Sequence, residues 1–286
     1  MLKLSTSQKI FLASILSKLI IFFFGSEEKI IKRNKIKYKI DLNEGVDLGI
    51  FLNIKLEGKI QNLAKLLDEN KKYNLIDIGA NIGSVSLPLA KIFTRSSIFS
   101  VEPTYYAFNK LVTNLNLNPD LKKRITAFNF LINNNNKTRN VYSSWNFNDK
   151  GKKHAVHFGS LKKINKKNII SLDKLIKKIN EKIDFIKIDV DGFELKVLKS
   201  GAKYIKKFKP IIHLEFAPYL HSGSNNSPGQ LINYIKQKLN YNFYNEDFIE
   251  VKEIDTYIKK IQKRSENFFL VNSKDTKNLK RIRKLI

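Results

Sequence analysis

A chain of 286 residues with no cysteine is long enough to bury a full core. It has no disulfides, no thiolate zinc site and no cysteine nucleophile of the kind that 5-methylcytosine formation needs. Its net charge of +27 would suit nucleic acid or an anionic membrane, but the excess is nearly all lysine, scattered over every predicted helix face beside many isoleucines and asparagines. AT-rich coding produces that triad by itself, so nucleic acid is disfavoured as a partner.

Residues 10–24, IFLASILSKLIIFFF, are apolar except for Ser14, Ser17 and Lys18. The run falls short of the roughly 20 apolar residues of a spanning helix. It ends in Phe22, Phe23 and Phe24 instead of the small residues of a signal cleavage site. With Ser7, Ser14 and Lys18 on one side and lysines flanking it, the segment 1–29 reads as an amphipathic helix, lying either on the inner membrane surface or on the apolar surface of its own domain. The expected location is cytoplasmic, with residues 10–24 as a peripheral membrane contact; the missing disulfides are compatible with that compartment. Residues 30–42 alternate charged and apolar side chains and predict a strand or hairpin. Residues 61–70 predict a helix, so that 30–70 pack on the core as an N-terminal hairpin and helix.

The core opens at residues 73–78, a short apolar strand that runs into Gly79, Ala80, Asn81 and Gly83 before helical periodicity starts. Strand, glycine turn and helix make the start of a nucleotide-binding α/β unit. Gly79 turns without a Cβ where a ligand approaches, Gly83 lets the helix begin close to the strand, and the first N–H groups of that helix face the ligand. A dinucleotide fingerprint would need glycine in place of Asn81 and Ser84, and a P-loop would need Gly-Lys-Ser/Thr, which is absent. Asp77, two residues before the first glycine, would repel a pyrophosphate and favour a cationic ligand; S-adenosylmethionine carries an ammonium and a sulfonium. The strand over 97–101 ends in Glu102, where an acid holds ribose hydroxyls in such folds. Asp77, Gly79, Ala80, Asn81, Gly83 and Glu102 are therefore the expected donor-binding residues.

DIGANIG (77–83), VEP (101–103), SLDKL (171–175), DFIKIDVDGFELKVLKSGAKYI (184–205) and KPIIHLEF (209–216) occur in the order of the motifs of FkbM-type S-adenosylmethionine-dependent methyltransferases. The chain resembles that family over about residues 74–216, with a looser tail to 271. The resemblance implies a class I methyltransferase (Rossmann-like) fold over residues 71–273, followed by a basic tail, and methyl transfer to a hydroxyl oxygen. Its α/β sheet would have seven mostly parallel strands with helices on both faces and the last strand antiparallel.

Helices are expected over 84–93 and 105–117, and a third strand over 124–131. The stretch 141–158 lacks helical periodicity and reads as an inserted hairpin or loop; its Trp145 is placed either to stack on adenine or sugar or to pack on its own domain. A helix over 171–180 with Ser171 as N-cap precedes strand four over 183–190. A helix over 191–204, strand five over 210–216, a helix over 230–239 and strands over 241–245 and 268–272 complete the sheet.

Strand four should be apolar on both faces in a parallel sheet, yet it carries Lys187 and Asp189, with Asp191 just beyond its end. Strand five repeats the anomaly with His213 and Glu215. Alternation puts each set on one face, toward the carboxyl edge where α/β sheets bind ligands, so both strands point to one shared pocket. Charges there cost desolvation energy, which favours a functional role. Methylating an alcohol requires alignment and a proton acceptor, either a general base or a metal that lowers the hydroxyl pKa. Asp189 is the first candidate as base or metal ligand and Glu215 the second, with His213 a third that is more often structural; Lys187 pairs with Asp189 or another acid. Asp189, Asp191 and Glu215 could together hold Mg²⁺, while Asp191 and Glu194 alternatively serve the start of the next helix.

The expected function is an O-methyltransferase acting on a hydroxyl of a sugar, glycolipid, polysaccharide or secondary metabolite. Its partner would be a small-molecule or glycan acceptor, with self-association into a homo-oligomer left open. The alternatives are a nucleic-acid methyltransferase and a non-catalytic S-adenosylmethionine-binding protein. Against the former, strand four ends in DVDG rather than Asn/Asp-Pro-Pro-aromatic.

Overall fold

The computed structural model describes residues 6–53, 60–134, 140–147, 159–221 and 227–285. The chain begins with α1 (Thr6–Phe24), the hairpin β1 (Glu28–Arg33) and β2 (Ile36–Asp41), and two short helices, α2 (Gly45–Phe51) and α3 (Leu63–Leu66). An alternating stretch follows: β3 (Asn74–Ile78), α4 (Ser86–Ile92), β4 (Ser97–Val101), α5 (Tyr105–Asn116), α6 (Pro119–Lys122) and β5 (Ile125–Phe128). The chain then leaves the sheet through β6 (Leu131–Ile132), β7 (Asn140–Trp145), β8 (Gly159–Lys163) and β9 (Ile169–Ile170). It returns with α7 (Leu172–Ile179), β10 (Phe185–Ile188), α8 (Glu194–Ser200), α9 (Ala202–Phe208) and β11 (Ile211–Phe216). The last elements are α10 (Pro228–Asn233), β12 (Tyr241–Tyr244), α11 (Ile254–Lys260), β13 (Glu266–Asn272) and α12 (Thr276–Ile282).

Seven strands form one sheet in the order β12-β13-β11-β10-β3-β4-β5. The four pairs of neighbours from β11 to β5 are parallel, and β13 is antiparallel to both β11 and β12. The seven-stranded, mostly parallel α/β sheet with an antiparallel final strand is therefore the fold of this chain. Parallel strands are buried on both faces, which is why β3 reads apolar without strict alternation. Leu75, Phe185 and Ile211 join the core on one face and Ile76, Ile186 and Ile212 the core on the other. The N-terminal hairpin contributes Ile36, Tyr38 and Ile40 to the first of these cores, so it is packed on the sheet layer.

Local details differ from the sequence expectation for identifiable reasons. The expected helix over 191–204 is two helices, α8 and α9, broken at Gly201, where a Cβ would lie 2.5 Å from Leu172 Cδ2. The helix expected over 61–70 shrinks to a 3₁₀ turn (Ile60–Asn62) and α3. The 141–158 stretch begins within β7, which pairs antiparallel with β8 just after it; residues 148–158 and the Trp145 side chain lie outside the described residues. Ser171 does cap α7, its hydroxyl accepting the Lys174 N–H at 3.2 Å. The basic tail is helical: Asp275 caps α12, Ile282 is buried, and Arg281 donates to the Leu66 carbonyl at 3.0 Å.

α1 departs most from expectation. Its apolar residues run around the whole helix instead of along one stripe. Ile10, Ser17 and Ile20 are buried against the domain, and Ser17 Oγ donates to the Leu42 carbonyl at 2.8 Å. The amphipathic arrangement with a polar side of Ser7, Ser14 and Lys18 is thus corrected: a serine sits on the docked side, and phenylalanines and leucines share the outer side with Lys18.

Candidate active site

The carboxyl ends of β3, β4, β10 and β11 open into a cavity of about 1090 Å³ whose far wall is made by α1, α2 and β7. That is at the upper end of ligand pockets, roomy enough for a cofactor and a second molecule. Among the described residues, the acids on its wall are Glu27, Asp41, Glu44, Glu102, Asp189, Asp191 and Glu215, whereas the lysines are Lys9 and Lys162. The whole chain has 53 basic and 26 acidic residues. The ratio is reversed at the cavity, and that reversal is the site's main electrostatic property.

The glycine turn is shaped by contact between strand ends. Gly79 has φ +83°, and a Cβ there would lie 1.8 Å from the carbonyl oxygen of Asp189, so only glycine lets β3 leave the sheet beside the end of β10. The N–H groups of Gly79 and Ala80 donate to the Val101 carbonyl at 2.9 and 3.0 Å, and that of Gly83 donates to Ala80 at 2.8 Å. The expectation that free N–H groups of a following helix face the ligand is corrected by this pattern. These loop donors are engaged within the protein, and α4 starts only at Ser86. Gly83, with φ +89°, makes room instead for Leu111 of α5.

Glu102 is fixed by the same turn. Its Oε2 accepts the Asn81 N–H at 3.0 Å, and its Oε1 accepts the Thr104 N–H at 2.9 Å and the Thr104 hydroxyl at 2.5 Å. Burial raises its pKa, and the hydrogen bonds from Thr104 and Asn81 act against that shift. The side chain lines the cavity in one fixed orientation, as a residue that accepts ligand hydroxyls must.

Beneath the cavity floor runs a polar row across the sheet, with Ser100, Asp77, Lys187 and His213 in register on neighbouring strands. Asp77 is fully buried and does not line the cavity. Its Oδ2 accepts the Ser86 hydroxyl at 2.6 Å, and its Oδ1 lies 3.6 Å from Lys187 Nζ. The same ammonium lies 3.1 Å from Asp189 Oδ2. His213 is fully buried against Phe269, ring centroids 4.8 Å apart, with Nε2 3.6 Å from Glu246 Oε1. Burial lowers its pKa. Its ring does not reach the cavity, which corrects its candidacy as the base.

Above the row, Asp189, Asp191 and Glu215 each offer a carboxyl oxygen within 4.8 Å of the others. Asp191 has φ +48°, an αL conformation that aspartate tolerates and that holds its side chain beside the other two. Burial would raise the pKa of Asp189, but the Lys187 charge and a hydrogen bond from Glu215 outweigh it, and the net shift is downward. Asp191 and Glu215 go well above the usual range, through burial first and then the Asp189 charge. Asp189 thus holds its charge more readily than the two carboxyls beside it. Glu194 is buried, accepts the Gly192 N–H at 3.1 Å and lies 3.1 Å from His221 Nε2, which ties down the loop that carries Asp191.

Of the expected donor-binding residues, Gly79, Asn81 and Glu102 line the cavity, and Asp77, Ala80 and Gly83 lie beneath or beside it. Asp189 and Glu215 reach it, and Lys187 supports Asp189 from below. The acids of the N-terminal segment were not anticipated. Glu44 Oε1 accepts from Asn146 Nδ2 at 2.6 Å, Asp47 pairs with Lys110, and Asp41 and Glu27 line the wall. Burial lifts Glu44 to about 7 and Asp47 to about 6. The run DLNEGVD over residues 41–47, three acids in a lysine-rich chain, was the available signal.

A model of the methyltransferase FkbM domain matches residues 77–243. No curated protein matches the chain. Among solved structures, the methyltransferase FkbM from Methylobacillus flagellatus KT is 19% identical with a TM-score of 0.45, over 71% of this chain and 44% of that one; this chain thus spans less than half of that relative's length. TYW2 from M. jannaschii in complex with AdoMet is 13% identical with a TM-score of 0.40, over 86% and 84% of the two chains. Precorrin-6y C5,15-methyltransferase from Geobacter metallireducens GS-15 is 13% identical with a TM-score of 0.38, over 75% and 85%. These overlaps are loose and do not bear on the acceptor.

Proposed function

The chain belongs to the FkbM family of methyltransferases, and from that premise we propose that it transfers a methyl group from S-adenosylmethionine to a hydroxyl of a sugar, glycolipid, polysaccharide or secondary metabolite. One observation carries this reading: among the described residues, seven acids and two lysines line the cavity of a strongly basic chain. A wall rich in carboxyls and poor in cations suits a cofactor that carries an ammonium and a sulfonium and offers few partners to a phosphate-rich one.

When bound, the donor supplies an electrophilic methyl group on a sulfonium. Glu102 would take the ribose hydroxyls, with Gly79 and Asn81 as the adjacent wall. Asp191 and Glu215 would balance part of its positive charge. Asp189 orients the acceptor hydroxyl and takes up its proton; it remains ionised at neutral pH because Lys187 stabilises its charge. A carboxylate with a depressed pKa is a weak base, but displacement at a sulfonium is strongly downhill, and alignment supplies much of the rate.

A divalent cation is a second reading of the same three carboxyls, favoured by their 4.8 Å spacing. Turnover that survives EDTA would remove it. The nucleic-acid alternative is disfavoured by a wall that offers phosphates few cations among the described residues.

Calorimetry with S-adenosylhomocysteine tests the donor site. Wild type and Asp189→Asn are expected to bind it, and Glu102→Ala to bind about tenfold or more weakly. Unchanged affinity in Glu102→Ala would contradict the assignment.

A further inference from the structure

The helix that closes the cavity also carries the most apolar surface of the protein. Ile10, Ala13 and Leu16 of α1 line the cavity, beside Asp41 and Glu44. Around the rest of the helix, Phe22 is 81% and Phe23 77% exposed, with Phe11, Ile15 and Leu19 exposed next to them. Eight of the fifteen exposed large apolar side chains among the described residues lie on this one helix. Surface hydrophobics scattered singly need no explanation, but a contiguous patch of this kind marks something that covers it.

The charge around the patch says what that is. Between Lys9 and Lys39 there are eight basic residues, Lys9, Lys18, Lys29, Lys32, Arg33, Lys35, Lys37 and Lys39, against Glu27 and Glu28. Lys9, Lys18 and Lys32 are exposed, and Lys29 Nζ lies 4.7 Å from the centroid of the Phe24 ring. Aromatic and aliphatic side chains flanked by lysines suit an anionic lipid surface. The helix is long and apolar enough to cross a membrane, but the Ser17 bond to Leu42 and the burial of Ile10 and Ile20 hold it on the domain, an arrangement that suits lying along the interface.

We propose that α1 sets its outer face into an anionic bilayer and that the acceptor is the uncharged, hydroxyl-bearing headgroup of a lipid in that bilayer. This rests on the O-methyltransferase reading above and narrows its acceptor class. With α1 at the interface, one wall of the cavity is at headgroup depth, so a lipid headgroup enters without leaving the membrane. The wall offers phosphate-bearing headgroups few cations, whereas carboxyls such as Asp41 and Glu44 hydrogen-bond sugar hydroxyls.

The full chain is mixed with vesicles of roughly three parts phosphatidylcholine to one part phosphatidylglycerol that contain monoglucosyl diacylglycerol, and with methyl-labelled S-adenosylmethionine. The wild type should sediment with the vesicles and label the glucolipid faster than soluble methyl glucoside at equal concentration. The variant Phe22→Ser/Phe23→Ser, altered at two rings that do not line the cavity, should bind vesicles about tenfold or more weakly and lose glucolipid labelling in proportion, yet bind S-adenosylhomocysteine as the wild type does. Equal sedimentation of variant and wild type, or none by the wild type, overturns membrane docking. A stable dimer dispersed by the same substitutions would assign the face to a second copy and overturn it as well. Equal labelling of the soluble glucoside, or labelling of neither, overturns the lipid acceptor. Failure of the wild type to bind S-adenosylhomocysteine would instead remove the donor reading and leave the sedimentation result standing.

Discussion

Lys187 and Asp189, two residues apart at the end of β10, form an ion pair with Nζ 3.1 Å from Oδ2 and only 2% of the lysine side chain exposed. A lone buried ammonium there would carry a large desolvation cost, and Asp77 on the neighbouring strand shares it at 3.6 Å. The pair favours ionisation of Asp189 at the cavity floor, while burial disfavours it in Asp191 and Glu215. The site's chemistry depends on that division.

Asp189→Asn should retain binding of S-adenosylhomocysteine and lose turnover by about 10² to 10⁴, the usual contribution of a positioned proton acceptor. Calorimetry and a labelled-methyl assay on the same preparation separate the two effects. Wild-type turnover in the variant would remove Asp189 from catalysis.

Asp77 and Glu102 should behave differently although both are acids at strand ends. Asp77→Ala leaves Lys187 with one partner fewer in a dry site, so the expected effect is a stability loss of about 3 to 5 kcal/mol, as for other broken buried pairs. Replacing Lys187 by Met in the same protein should recover part of it. Denaturant unfolding of the single and double variants measures the coupling. Additive losses would show that the two residues do not interact.

Gly79→Ala places a methyl group against the Asp189 carbonyl, 1.8 Å from its ideal position, at a φ of +83°. The strand ends must then separate, and a destabilisation of about 3 kcal/mol or more is expected in thermal unfolding. A change of under about 1 kcal/mol would show that the turn has room to spare.

Stability should fall as pH rises through neutrality. Burial raises Glu44 from the ordinary 4.5 to about 7 and Asp47 from 3.8 to about 6, and it raises Asp191 and Glu215 too. A carboxyl whose folded pKa exceeds its unfolded one binds its proton more tightly when folded. Its contribution is complete below the unfolded pKa and lost as pH rises through the folded pKa. Asp189 shifts the other way, and its contribution is lost only as pH falls through its lowered pKa. Between about pH 4.5 and 8, unfolding free energy should therefore drop, by roughly 2 to 3 kcal/mol each for Glu44 and Asp47, and Glu44→Gln should flatten the slope. A slope unchanged by that substitution would remove Glu44 from the linkage.

The sheet was legible in the sequence because buried parallel strands announce themselves: the segments at 97–101 and 210–216 were bounded to within a residue. The polar exceptions Lys187, Asp189 and Glu215 marked the site because a charge in such a strand needs a reason. Asp77 and His213 carried the same signal yet lie beneath the cavity, since alternation fixes the face of a residue and not its depth along the strand. The acids of residues 27–47 belong to a segment whose docking on the sheet is a long-range contact, so no local pattern tied them to the site. α1 looked amphipathic by residue type, but tertiary packing put Ser17 inside and the phenylalanines outside.

The most direct test of the donor assignment is a crystal structure of the protein with S-adenosylhomocysteine. The expected complex has the ligand in the cavity with its ribose hydroxyls bonded to Glu102. A ligand bound elsewhere, or in the cavity without touching Glu102, would contradict it.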